Sequence, residues 1–279
     1  MRLDRAATLG LFHPAVRILR PAGGTASAIL MYHSVSDAPE DRVHPYFRLN
    51  TSPRRFAQQM QVLQETGWEV VPLSAILAPE REPALNARRR VAITFDDGYE
   101  DFLSLAFPIL QEHNFAASVF LPTDYVGGGA HFNGRPCLSW PQVRELHRAG
   151  VQFGSHTASH PQLYATAEAS QEEELRRSKL EIEAHLGQVV DAFSYPYAFP
   201  QHDRSFRLRI RDLLERCGYA YGVSTILGRV RPSEDRYFAR RLPVNGDDDA
   251  RLLRAKLDGG YDWLHGVQYA TKALRRAIA

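Results

Sequence analysis

The stretch Val91-Ala92-Ile93-Thr94-Phe95-Asp96-Asp97-Gly98-Tyr99 sets five apolar or β-branched residues directly against two adjacent carboxylates and a glycine. A run this short and this apolar reads as a strand buried on both faces, as a parallel sheet covered by helices requires. The two acids then stand at the strand's carboxyl end, where α/β folds collect their reactive groups. Burying adjacent carboxylates is costly unless something positive lies beside them. Successive side chains leave an extended backbone in different directions, so one acid can bind a cation while its neighbour faces water. Taken alone, Asp-Asp-Gly reads equally as a turn with a helix N-cap.

Outward from this strand, similar apolar runs occur at Ala28 to Tyr32, Ala117 to Leu121, Val151 to Gly154, Ala192 to Ser194, Tyr219 to Val223 and Ala239 to Leu242. They alternate with stretches of helical period. Ser52-Pro53 opens one helix that Gly67 closes, and others are predicted from Tyr99 to His113, Trp140 to Ala149, Ser170 to Leu186 and Arg204 to Arg216. Ala78 to Arg90, rich in proline and charge, reads as a surface loop. Seven such alternations favour a distorted (β/α)7-type barrel over an open sheet. The expected organisation is an N-terminal arm over 1–27, a barrel over 28–260 and a C-terminal helix over 261–279 packed on the barrel.

The chain of 279 residues is 44% hydrophobic, enough for one large core or two small ones. Its 34 basic and 32 acidic residues give a formal charge of +2, with no field suited to nucleic acid. Cys137 and Cys217 are too few and too far apart for a disulfide framework or a Cys-x-x-Cys metal site. No run reaches the ~18 to 20 apolar residues of a membrane span, and the apolar stretch Leu9 to Phe12 is interrupted too early for a signal peptide. A cytoplasmic protein is expected. The basic, amphipathic stretch from Tyr261 to Ala279, with Leu264, Val267, Leu274 and Ile278 near one face, leaves room for peripheral contact with the inner face of the membrane.

A second polar motif, Ser155-His156-Thr157-Ala158-Ser159-His160, follows the short strand Val151 to Gly154. Histidines four apart share one face of a helical turn, so both imidazoles can reach one ion. Together with Asp97 they offer three protein ligands and leave positions open for water and substrate.

With Thr94-Phe95-Asp96-Asp97-Gly98 and His156-Thr157-Ala158-Ser159-His160 in this order, the sequence resembles the polysaccharide deacetylase family, the NodB-homology or carbohydrate esterase family 4 enzymes, over roughly Ala28 to Gly260. The resemblance implies a barrel of β/α units and hydrolysis of N-acetyl groups on N-acetylhexosamine units of a polysaccharide, oligosaccharide or lipid-linked precursor. It also implies Asp97, His156 and His160 as metal ligands and Asp96 as the base. Phe193-Ser194-Tyr195-Pro196-Tyr197 corresponds to the family's third motif, which makes the backbone N–H of Tyr197 the expected oxyanion donor.

The chain departs from the commoner family pattern at Ser194, where an arginine orients the catalytic aspartate. Arg241, or else Arg240, on the late strand is the expected substitute. His33, ending Ile29-Leu30-Met31-Tyr32-His33-Ser34, resembles the acid-bearing motif of a branch in which that motif comes first, as in biofilm poly-N-acetylglucosamine deacetylases. It is the expected general acid; the late His265 reads as a surface or packing residue. Tyr195, Tyr197, Phe199, Tyr125 and Trp140 are candidates for stacking on sugars, with core packing as the competing role. Two imidazoles and a carboxylate suit Zn2+, while Ni2+, Co2+ and Fe2+ also fit. A deformylase or other acylamide hydrolase, and a catalytically silent carbohydrate-binding protein, stay open beside the deacetylase.

Overall fold

Seven parallel strands close into a barrel in the computed structural model, which describes residues 2–19, 26–77, 89–232 and 234–278. They are β1 (Ala26–Tyr32), β2 (Arg89–Phe95), β3 (Ala117–Leu121), β4 (Gln152–Ser155), β5 (Ala192–Ser194), β6 (Tyr221–Leu227) and β7 (Ala239–Pro243). Neighbours run in the order β1-β7-β6-β5-β4-β3-β2, and β1 returns to β2 along its whole length, from Ala26 opposite Arg89 to Tyr32 opposite Phe95. A short extra strand, Glu69–Val70, pairs with the start of β2, while β3 pairs with its end. Six of the seven expected strand runs match to within two residues. The exception is β6, which runs on to Leu227 through an irregularity between Val223 and Leu227. Of the expected loop Ala78 to Arg90, residues 78–88 lie outside the described residues, and Arg89 and Arg90 already belong to β2.

Side-chain alternation divides the strands into two faces. Leu30, Ile93, Val119, Phe153, Phe193 and Leu242 face outward into the main core beneath the helices. Ile29, Ala92, Phe120, Ala192, Val223 and Ala239 form a second, interior cluster, onto which the short helix Leu73–Leu77 packs. The same inward parity, carried up each strand, puts Thr94 and Asp96 on β2, Ser194 on β5 and Arg241 on β7 inside the barrel above this apolar floor. Gly154 is required there, because a Cβ would sit 2.5 Å from the Phe120 ring and 2.9 Å from the Ala192 carbonyl.

The flanking helices start and stop where their caps dictate. Helix α1 (Pro53–Glu65) begins with the Ser52 side chain accepting from the Arg55 N–H, and Gly67 follows at φ 70. The predicted helix from Tyr99 is shorter than expected: a wide-turn segment, Phe102–Ala106, leads into α2 (Phe107–Glu112), and Tyr99 instead bridges to Cys137. Helix α3 (Trp140–Arg148) carries a Ser139/Gln142 capping box, and Gly187 in a left-handed conformation ends α4 (Glu168–Leu186). Asp203 caps α5 (Arg204–Arg216), and Asp249 caps α6 (Ala250–Leu257). The C-terminal helix, α7, spans Leu264–Ile278.

The N-terminal arm, three consecutive helical pieces from Leu3 to Leu19, is tied down by charge. Arg2 pairs with Asp4 and Asp248, Lys256 pairs with Asp248 from the other side, and Tyr261 donates to Asp4. Phe12 stacks on Trp263. On α7, Leu264 is buried and Val267 is exposed, and the side chains of Leu274 and Ile278 lie outside the described residues. No described helix is long and apolar enough to cross a membrane.

Candidate metal centre and active site

Three strand exits converge at the carboxyl end of the barrel. Asp96 extends the ladder of β2, its N–H donating to the Tyr32 carbonyl at 3.0 Å, and its side chain keeps the inward parity. Asp97 then turns at φ 71, a conformation that costs a residue with a Cβ and that recurs at Thr157, His160 and Tyr197. Four such residues gathered at one end of the barrel mark a place where geometry overrides local preference.

His156 extends the ladder of β4 by donating its backbone N–H to the Leu121 carbonyl at 2.9 Å. The two histidines do not share a helical turn, as the spacing suggested; the segment between them is an irregular loop with left-handed residues at Thr157 (φ 67) and His160 (φ 57). The structure nevertheless brings both imidazoles to Asp97. Its Oδ1 lies 3.5 Å from Nε2 of His156 and 3.5 Å from Nε2 of His160, and the three ligand atoms all fall within 4.8 Å of one another. His156 Nδ1 lies 2.8 Å from the Ser194 carbonyl, so that nitrogen donates there and Nε2 is the ring nitrogen left facing Asp97. Lone pairs converging at this separation fit a divalent cation with ligand bonds of ~2.0 to 2.2 Å. The donor set is the nitrogen and oxygen type that zinc and its neighbours prefer.

The buried carboxylate of Asp96 meets Arg241, itself buried inside the barrel. The guanidinium donates to Asp96 Oδ1 at 2.8 Å and to Oδ2 at 2.7 Å, a two-pronged pairing that fixes the carboxylate plane. Arg241 also donates to the Ser224 carbonyl at 3.0 Å and to Ser194 Oγ at 3.0 Å, and Ser194 Oγ donates to Asp96 Oδ1 at 3.1 Å. Arg240, the other candidate, points away and pairs with Glu234.

Burial pushes the Asp96 carboxyl up, but Arg241, with lesser help from His156 and His33, overcomes it and holds the group well below the usual range. Asp97 is lowered against the same burial by the histidines. The two imidazoles separate: burial works against charge on His156, yet Asp96 and Asp97 raise it. His160 falls to about 4, through burial and the neighbouring His156.

His33 follows β1 at the same rim, half-buried and close enough to act electrostatically on both Asp96 and Asp97. Tyr197 stands opposite at φ 57, 55% exposed, its ring 4.8 Å from that of His160. Tyr195 and Phe199 do not line the mouth, because both are buried in the main core. Tyr125 packs on Phe132, and Trp140 stacks on His185 at 3.9 Å. The sequence reading missed two walls of the site: Phe132, 4.7 Å from the His160 ring, and Tyr99, buried beside Asp97 and stacked on Phe132. Both come from segments whose apolar content alone did not set them apart from core.

Residues 85–222 match the family model described as polysaccharide deacetylase. The chain is similar to the putative polysaccharide deacetylase YxkH of Bacillus subtilis, 27% identical over 220 residues, covering 78% of this chain and 71% of that protein. It is also similar to the poly-beta-1,6-N-acetyl-D-glucosamine N-deacetylase of Staphylococcus aureus, 22% identical over 222 residues, covering 76% of this chain and 73% of the relative. Among solved structures, the Streptococcus pyogenes deacetylase PplD in complex with acetate superposes with a TM-score of 0.71 at 24% identity, covering 84% of this chain and 99% of that one. At that identity the superposition establishes the shared barrel.

Proposed function

From the match of residues 85–222 to the polysaccharide deacetylase model, we propose that the chain is a member of that family and hydrolyses N-acetyl groups on N-acetylhexosamine units of a glycan, with a divalent metal, zinc foremost, held by Asp97, His156 and His160. The observation that carries this reading is the pairing of two adjacent acids with different partners: Asp97 faces two imidazoles, and Asp96 faces one arginine. A site built only to hold a cation or a sugar has no use for the second, separately compensated acid.

Each residue then has one task. Asp96, kept ionised by Arg241, accepts a proton from the attacking water on its remaining lone pairs. When bound, a divalent cation supplies the Lewis acidity that polarises an acyl carbonyl and acidifies water enough for so weak a base to deprotonate it. The Tyr197 N–H donates to the oxygen that becomes negative as the carbonyl is attacked. His33 returns a proton to the departing amine. The exposed Tyr197 ring offers a sugar an apolar face beside the reacting group. The poly-N-acetylglucosamine activity named for the Staphylococcus aureus relative supports an extended β-1,6-linked glycan as the first substrate to try.

The test is release of acetate from β-1,6- and β-1,4-linked N-acetylglucosamine oligomers and, in parallel, of formate from the corresponding N-formylglucosamine oligomers. The protein is stripped by chelator and reloaded with zinc, nickel, cobalt or iron(II). Asp96→Asn is expected to keep its metal and lose ~10²- to 10⁴-fold in turnover. Formate without acetate would assign a deformylase, and oligosaccharide binding without either product would assign a silent binding protein.

A further inference from the structure

The two imidazoles reach Asp97 only because the loop His156–His160 holds two left-handed residues, Thr157 and His160, neither of which is glycine or asparagine. Contacts inside the loop account for part of this. Thr157 N–H donates to Ser155 Oγ at 3.1 Å, and His160 N–H donates to Thr157 Oγ1 at 3.1 Å. On one side the loop's carbonyls are fixed by the chain leaving β3, with Thr123 N–H donating to the Thr157 carbonyl and Asp124 N–H to the Ala158 carbonyl.

The remaining N–H groups, those of Ala158 and Ser159, turn the other way, toward α4. Both donate to the same oxygen, Glu174 Oε2, at 2.9 and 2.8 Å, and Ser159 Oγ donates to Glu174 Oε1 at 2.6 Å. Consecutive N–H groups pointing at one carboxylate make a small anion-binding concavity, filled here by the protein's own side chain. Glu174 is not isolated on its helix. Gln171, Glu174 and Ser178, spaced to share one face, together hold the chain from Ser155 to Thr166: Gln171 Nε2 donates to the Leu163 and Thr166 carbonyls, each at 2.7 Å, and Ser178 Oγ lies 2.7 Å from Ser155 Oγ.

We propose that Glu174 is a positioning residue for the metal: by gathering the Ala158 and Ser159 N–H groups and the Ser159 hydroxyl, it holds the loop in the one conformation that aims both imidazoles at Asp97. The inference rests on the deacetylase reading for the identity of the ligand set, but not for the loop geometry. Glu174 touches no reacting atom in this scheme. Its effect is on how much of the protein, before any metal arrives, already presents the ligands together.

The experiment uses the full chain with Glu174→Ala, Glu174→Gln and, as a control, Glu173→Gln, whose exposed neighbouring carboxylate pairs with Arg176 on the same helix. Amide hydrogen exchange of the 156–160 loop is measured on metal-free protein, and zinc affinity by competition with a chromophoric chelator. Glu174→Ala is expected to speed exchange in the loop and weaken zinc ~10- to 100-fold, the range for removal of a residue that orients metal ligands. Glu174→Gln, which keeps an acceptor for the two N–H groups, should recover most of that loss even if the alanine variant folds poorly. Zinc affinity unchanged in Glu174→Ala, or a loss equally large in Glu173→Gln, overturns the proposal. Wild-type protein that takes up no zinc overturns it together with the deacetylase reading; the exchange comparison, made without metal, still separates the two failures.

Discussion

Replacing Arg241 by methionine isolates the charge pair at the centre of the barrel. Methionine fills the space of the arginine stem without a donor. The structure then loses five hydrogen bonds from one side chain: two to Asp96, and one each to Ser194, Ser224 and Thr94. More costly than the bonds is what stays behind, because Asp96 is 2% exposed and its carboxylate is left buried without its arginine counter-charge. Breaking a buried pair from one side in this way costs about 3 to 5 kcal/mol, a large share of the ~5 to 15 kcal/mol that holds a domain folded. Asp96→Asn should cost less, since its amide oxygen still accepts from the guanidinium, but it leaves an arginine buried without a counter-charge. The double variant removes both charges, so its loss should fall short of the summed single losses by about 2 to 3 kcal/mol. The assay is equilibrium unfolding in urea with chelator present, so that no cation compensates Asp96. Single losses that add to within about 0.5 kcal/mol in the double variant would refute the coupling. With the guanidinium gone, burial is opposed only by the lesser effect of His156 and His33, and the Asp96 carboxyl is pushed up. The surviving Arg241→Met protein should therefore also lose turnover by the ~10²- to 10⁴-fold that a general base contributes.

Three further outcomes are expected. His33→Gln should lower turnover ~10²- to 10⁴-fold while zinc stoichiometry and affinity stay at the wild-type level; a lost metal would make His33 a ligand instead of an acid. Burial pushes the Asp4 carboxyl up, but hydrogen bonds from Arg2 and Tyr261 hold it below its ordinary 3.8. A depressed folded-state value means its stabilisation is complete above 3.8 and is lost as pH falls through the folded value. The stability gap between wild type and Asp4→Asn, read from urea midpoints, should therefore be widest near neutrality and close in acid. Gly154→Ala drives a Cβ into the Phe120 ring at 2.5 Å and should cost about 1 to 3 kcal/mol by overpacking. An unchanged melting temperature would show that the ring yields freely.

What the sequence made legible follows from how local each signal is. Apolar runs ended by polar motifs mark strands and their exits, because a strand buried on both faces has to be apolar and its reactive end has to be polar. The positions of Asp97, His156 and His160 at one rim follow from that alone. The spacing of four residues between the histidines fits a helical turn and an irregular loop equally well, and a β-branched residue such as Thr157 gives no sign of positive φ. Glu174 was hidden for another reason. In the run Glu172-Glu173-Glu174 three like residues have three fates, and only the helix phase of α4 against the loop singles out the third. Tyr195 and Phe199, candidates for the mouth, were placed by nearness to a motif, whereas the chain there dips into the main core and returns only at Tyr197.

The exchange of serine for arginine at position 194 has a physical reading in the barrel's parity. Every strand sends alternate side chains into one shared interior, so a positive charge for Asp96 can be supplied by any strand whose inward position lies at the right height. Ala239 faces inward on the apolar floor, Arg241 therefore faces inward one layer higher, and its stem is long enough to reach past β1, the strand between them, to the acid at the end of β2. Ser194 occupies the equivalent height on β5, where its hydroxyl both accepts from Arg241 and donates to Asp96. An arginine at each position would put two guanidinium groups against one buried carboxylate and leave a positive charge unpaired, at a cost of the same kind that burying the acid alone incurs. The short side chain at 194 is thus the complement of the long one at 241, and the interior of the barrel, more than any single motif, is what sets the charge of Asp96.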